Sequence, residues 1–196
     1  QNKDLFHLNL DHTINEDNNS VVGIQKSDLL FKGNEWFLNE ADDRSNRVIF
    51  EDRFKNIRID TLSLTHKNEQ IRLAGVLRDS THKTVRMSFE DVDLGKITPE
   101  SNTLAFGGQL KGNLNLWQRS TAYYPHTSLT VEDFKVNDSV VGDLFLDVLG
   151  NSDLSIYNIN MNLNKEGRES FSGIGEIAVD DGVPQILLDV NFHDFA

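Results

Sequence analysis

Cysteine is missing altogether from the 196 residues. That excludes disulfide scaffolds, cysteine nucleophiles and thiolate-bound metals, and leaves the compartment open. Basic residues are few, 19 against 31 acidic, for a formal net charge of -12. A nucleic-acid binder needs a basic face to meet phosphate, so nucleic acid is not an expected partner. The same balance disfavours docking on anionic lipid headgroups, which recruit clustered lysine and arginine. No run of about 18 apolar residues is present, so no segment reads as a transmembrane helix. No signal peptide opens the chain either. Its start, QNKDLFHLNLDH, reads as the middle of a strand, and so as the edge of a cut or processed fragment.

Catalytic and metal-binding patterns are also lacking. The six histidines, at positions 7, 12, 66, 82, 126 and 193, include no i, i+4 pair of a zinc helix. They read as surface or cross-strand residues. DHTINEDNNS offers Asp11, Asn15, Glu16 and Asp17 as oxygen ligands, but without the glycine and terminal glutamate of a calcium loop. The doublets Asp42–Asp43 and Asp180–Asp181 sit in turn-like stretches, where consecutive side chains diverge. ESFSGIG around Ser172 lacks the first glycine of a nucleophile elbow. FGGQLKG lacks the lysine and hydroxyl ending of a phosphate loop. The chain does not read as an enzyme, and no cofactor is expected.

What is there is alternation. Phe6, Leu8 and Leu10 keep a period of two, as do Ile57 and Ile59, Ile71 and Leu73, and Val85, Met87 and Phe89. Near the end, Ile186, Leu188, Val190 and Phe192 hold it against Asp189, Asn191 and His193. Such segments are strands with one apolar and one wet face. Turn-rich patches separate them: NEDNNS, NEADDRSN, THKNEQ, RDSTHK, NKEGRES and DDGVP. Breaks about every 8–12 residues point to an all-β chain. With no linker or composition shift, residues 1–196 read as one continuous β domain.

Three local features qualify the pattern. DSVVGDLFLDVLG fits helical spacing but also alternates at Leu144, Leu146 and Val148, and its neighbourhood favours strand. DVDLGKITP reads as a single helical turn ended by Pro99. Ile57 and Ile59 fall on one parity and Leu62 and Leu64 on the other. Either a bulge near Asp60 and Thr61 resets the phase, or both faces are partly covered there.

Glycine falls inside apolar strand segments in IRLAGVL, FGGQLKGNL, VVGDLFL and FSGIGEI, at uneven intervals that form no strict repeat. Recurrent strand glycines suit a sheet that must bend. In FGGQLKGNLNLWQ, Gly108 or Gly112 is expected at a bulge or at a close approach.

The order of four stretches resembles the TamB and AsmA-like family in its Bacteroidota-like form. They are FKNIRIDTLSLTHKNEQIRLAGVL over Phe54 to Leu77, VRMSFEDVDLGKITP over Val85 to Pro99, FGGQLKGNLNL, and LTVEDFKVNDSVVGDLFLDVLGNSDLSIYNINMNL. Together they span about half the chain, Phe54 to Leu163. One departure is that Pro125 is not followed by the glycine that the family often carries four residues on.

The resemblance implies an elongated, curved β-sheet, the β-taco or half-pipe, with an apolar concave face. It implies a periplasmic location, in a longer protein anchored in the inner membrane. The implied partners are phospholipid acyl chains and a TamA-like outer-membrane barrel protein, reached through other parts of the protein. The implied role is phospholipid transport, outer-membrane protein assembly, or both. Groove candidates are Ile57, Ile59, Ile71, Leu73, Val85, Met87, Phe89, Leu104, Phe106, Leu144, Leu146, Ile186, Leu188, Val190 and Phe192. About 14 strands side by side would span roughly 65 Å. The alternatives are a secreted β-sandwich that binds carbohydrate, with Trp117, Tyr123 and Tyr124 as its tools, and a structural spacer.

Overall fold

The computed structural model describes residues 5–98, 104–180 and 183–193, and is 74% strand and 2% helix. Six short strands come first: β1 (Leu5–His7), β2 (Leu10–Ile14), β3 (Ser20–Ile24), β4 (Ser27–Phe31), β5 (Asn34–Leu38) and β6 (Arg47–Glu51). Longer ones follow: β7 (Asn56–His66), β8 (Glu69–Arg78), β9 (His82–Asp93), β10 (Phe106–Arg119) and β11 (Ala122–Val136). β12 (Ser139–Gly150), β13 (Ile156–Lys165), β14 (Arg168–Asp180) and β15 (Val183–Phe192) complete the series. All fifteen join one sheet, which is not closed into a barrel. The two packed sheets of a sandwich are therefore not found among the described residues.

From β7 to β15 every strand pairs antiparallel with the next, a meander of hairpins. Before β7 the sheet forks. The first half of β7 pairs with β6, which leads on to β3 and β2; its last residues pair with β5, which leads to β4 and β1. The branch point is a register shift between Ile59 and Leu62, where the sequence parity changes. The longest row therefore holds twelve strands, or about 53 Å at 4.8 Å spacing. This corrects the roughly 65 Å expected from strands laid side by side, because three strands lie off the main row.

Splitting a ladder leaves backbone groups that need partners. Two buried asparagines supply them. Asn46 accepts the Ser63 N–H at 2.8 Å and donates to Asn39 Oδ1 at 3.0 Å. Asn39 donates to the carbonyls of Ile24 and Asp43.

DVDLGKITP forms the one-turn helix α1 (Leu94–Ile97), with the Asp93 side chain accepting the Gly95 N–H at 2.9 Å. Pro99 lies outside the described residues, as does part of DDGVP. DSVVGDLFLDVLG is strand β12 throughout. The period-two run Phe6, Leu8, Leu10 is not one strand: β1 ends at His7 and β2 begins at Leu10. Between them the backbone N–H of Asn9 donates to Ser27 Oγ and its side-chain amide to the Lys26 carbonyl, turning the chain.

The glycines of β10 mark two irregularities. The register shifts between Gly107 and Gln109 against β11, and between Leu110 and Gly112 against β9. Gly108 has φ +118° and Gly112 φ +126°, a region that L side chains rarely enter. A Cβ on Gly112 would also run into the Ser128 carbonyl and stand 2.9 Å from Leu129 Cα. Asp91 and Asp133, the extra residues on the partner strands, take positive φ as well.

Candidate functional site

Directly opposed residues of an antiparallel pair project from the same face. Following that rule across the ladders links the alternating strands into one surface. Ile57 lies opposite Leu77; Leu62, beyond the bulge, opposite Leu73; and Leu64 opposite Ile71. Ile71 in turn meets Phe89, Leu73 meets Met87, and Gly75 meets Val85. Met87 and Val85 face Leu114 and Leu116 on β10. Further along, Leu144 sits between Val131 and Leu163, and Leu146 between Leu129 and Met161. At the last strands Phe171 opposes Phe192, and Gly173, Gly175 and Ile177 oppose Val190, Leu188 and Ile186.

The register therefore brings almost all of the candidate residues onto one face running from β7 to β15. Ile59 joins it opposite Gly75 and Val48, and Phe106 opposite Val136, its ring stacked 6.0 Å from that of Phe134. Leu104 is different: it precedes β10, is exposed, and the register does not place it. The same face includes apolar residues absent from the candidate set, notably Leu114, Leu116, Leu129, Ile159, Met161 and Leu163. Signals for them existed in β13, where Tyr157, Ile159, Met161 and Leu163 alternate with four asparagines.

Burial across this face is uneven. Near one end of the strands, Trp36, Val92, Leu110 and Val131 form a buried cluster, with Val92 fully enclosed. Leu94 and Ile97 of α1 pack on it, with Leu29 and Phe31 of β4. Lys32, in the β4–β5 turn, donates to the carbonyls of Gly95 and Thr98 and so fastens that hairpin to α1. Glu69 is buried beside this cluster, bonding Lys96 and the Asp93 N–H. His66 is buried too, tilted against Trp36 at 5.3 Å with Nδ1 on the Glu35 carbonyl at 2.5 Å. Of the expected surface or cross-strand placement, the surface half is corrected here, while His66 is cross-strand, opposite Glu69 of β8.

Away from that margin the face is part-buried, with exposed residues on β10 and at the last strand. Leu114 is 39% exposed, Leu188 41% and Ile186 68%, and the intervening apolar side chains are half-buried. A leucine left half-exposed forgoes about 1 kcal/mol of the transfer energy of full burial.

The opposite face is mostly polar, with Phe145, Leu149, Ile174 and Leu187 exposed among its polar residues. Asn158, Asn160, Asn162 and Asn164 project there, beside Asp143 and Asp147. Lys111 bonds Glu132 at 2.8 Å and Asp91 at 3.1 Å, and these side-chain hydrogen bonds hold its ammonium above the ordinary lysine pKa. Asp43, Asp79 and Asp153 sit in turns, each accepting N–H and O–H bonds from the serine or threonine two residues on, which lowers their carboxyl pKa values. Among the described residues no group of three or more His, Cys, Asp or Glu could hold a metal ion, and no helix is long and apolar enough to cross a membrane.

No family model, curated protein or solved structure matches the chain.

Proposed function

We propose that this chain is a segment of a TamB- or AsmA-like protein of the cell envelope, offering phospholipid acyl chains an apolar surface across the periplasm. The observation that carries the reading is the shared face: nine consecutive strands direct apolar side chains to one side, where most are part-buried and Leu114, Ile186, Leu188 and Phe192 are exposed. A 16-carbon chain costs on the order of 12 kcal/mol to expose to water at ~0.8 kcal/mol per methylene. A carrier therefore needs length and continuity of apolar surface rather than a catalytic motif. The run of apolar residues on one face from β7 to β15 supports this reading.

In this reading the sheet is a half-pipe with the apolar face inside. Glycines favour that direction of bending. Gly75 and Gly175 occupy apolar-face positions where a Cβ would stand 2.7 Å from the carbonyl oxygens of Thr84 and Leu187. Removing side chains there lets neighbouring strands crowd together on the inner side. The buried margin under α1 closes one long edge, and the cargo lies against Met87, Leu114, Leu146 and their neighbours. A TamA-like barrel partner and an inner-membrane anchor belong to other parts of the protein.

The test is lipid carried through purification. The chain, exported to the periplasm and isolated without detergent, is analysed by native mass spectrometry. Bound phospholipid is expected, and it is lost from Leu114→Asp and Leu146→Asp while the fold persists. A wild-type protein free of lipid, or variants that retain it, would overturn the proposal.

A further inference from the structure

The polar face carries one feature that the lipid reading does not use. In a chain of net charge -12, several cations on this face are engaged: Arg47 with Asp60, Arg58 with Glu51 and Asp60, Arg72 with Glu90, Lys111 with Asp91 and Glu132. Arg78, Arg86 and Arg119 are exceptions. The residues directly opposite them are Asn56 and His82, Ala74 and Asn115, and His82 and Ala122. None is a carboxylate, and among the described residues no carboxylate forms an ion pair with any of the three.

Two of these arginines, Arg78 and Arg119, border two exposed aromatics. Trp117 lies opposite Tyr124 on one side and Thr84 on the other, and the two rings are 37% and 48% exposed. Tyr123, by contrast, pairs with Gln118 and belongs to the other face. One hollow is lined by Trp117, Arg119 and Tyr124; a second, sharing Trp117 and Arg119, extends to Arg78 and His82. The two run across β8 to β11, three strand spacings or about 14 Å.

We infer that this strip, Arg78–His82–Arg119 with Trp117 and Tyr124, is a binding site for an acidic polysaccharide. The exposed rings of Trp117 and Tyr124, opposite each other across β10 and β11, offer apolar surface that suits the C–H face of a sugar ring. Guanidinium forks beside it meet carboxylates in bidentate pairs. The sheet surface is shallow and open-ended, which admits a polymer running across the strands. The acidic remainder of the chain repels a dense polyanion such as nucleic acid, and tolerates a polymer carrying one carboxylate per ring. The site stands on the face away from the apolar surface and does not depend on the lipid proposal.

The experiment is calorimetric titration of the intact chain at low salt with oligogalacturonate, and with the same oligomer methyl-esterified to remove its charge. Binding of the acid form alone is expected, with Trp117→Ala and Arg119→Gln each weakening it at least tenfold and Arg168→Gln leaving it unchanged. The wild type also reports binding through fluorescence, since its only other tryptophan, Trp36, is buried. The Trp36 emission verifies that Trp117→Ala is folded, and Arg78→Gln gives a second weakening at an exposed position. No binding of oligogalacturonate, equal binding of the ester, unchanged affinity in the strip variants, or a preference for phosphatidylglycerol vesicles over the oligomer would each overturn the inference.

Discussion

Substituting Gly112 by alanine asks whether the glycines of β10 are structural necessities. The added methyl meets two obstacles. With φ at +126°, the backbone lies where an L side chain is strained, at a cost of about 1–3 kcal/mol. The Cβ is also driven into backbone atoms, the Ser128 carbonyl and Leu129 Cα, which cannot rotate away as a side-chain tip could. Overpacking of that kind adds about 1–3 kcal/mol. Gly112→Ala should therefore destabilise by roughly 2–6 kcal/mol, the sum of those two terms. Gly167→Ala is the internal control: φ is +76°, but nothing lies within 4 Å of its Cβ. It should cost only about 1–2 kcal/mol, the left-handed penalty alone. Urea unfolding followed by circular dichroism reads both from the shift in midpoint at constant slope. Equal destabilisation by the two variants, or a Gly112→Ala midpoint within error of wild type, would refute the argument from close approach.

Three further outcomes follow from the burial and charge described above. Leu114→Asp, on the open part of the apolar face, should lower Tm little, whereas Val92→Asp, fully enclosed, should cost several kcal/mol; equal effects in a thermal melt would argue that the face is covered. Glu69→Ala strands the Lys96 ammonium and the Asp93 N–H, so it should destabilise by about 3–5 kcal/mol and far exceed Glu90→Ala on the exposed face. Asp43, Asp79 and Asp153 have lowered folded pKa values, so their stabilisation is complete above the unfolded carboxylate pKa and lost as pH falls through the folded one. The advantage of wild type over Asp153→Asn should then shrink below about pH 4, and an advantage that grows with acid would contradict the assigned turn bonds.

Strand identity was legible where period two ran undisturbed. β13, with its four asparagines against Tyr157, Ile159, Met161 and Leu163, could hardly be read otherwise. The bulge at Asp60 and Thr61, the single turn of α1 and the irregularities at Gly108 and Gly112 were also signalled, each by a local break in parity or by glycine in an apolar run. Phase across a bulge was not. Phe89 and Val92 have opposite parity in sequence, yet the extra residue at Asp91 brings both to the apolar face. The fork was equally hidden, because β5 reaches β7 past β6, and that pairing depends on long-range partners rather than on a turn signal. Pro125 shows how context resolves a local oddity: it stands just beyond the last β11–β12 pair, His126 with Leu149, so its missing N–H breaks no bond of that ladder. Trp36 of the β4–β5 hairpin is buried where Leu94 and Ile97 of α1 pack on its cluster, with His66 against its ring, and no spacing within either segment announces this.

Face-resolved photocrosslinking tests the central claim most directly. A benzophenone amino acid placed in turn at Leu114, Asn113, Leu146 and Asp147 samples both sides of β10 and β12, since adjacent strand residues project to opposite faces. After irradiation in living cells, phospholipid adducts detected by mass spectrometry should appear at Leu114 and Leu146 and not at Asn113 and Asp147. Adducts of equal yield on both faces, or confined to Asn113 and Asp147, would contradict the account.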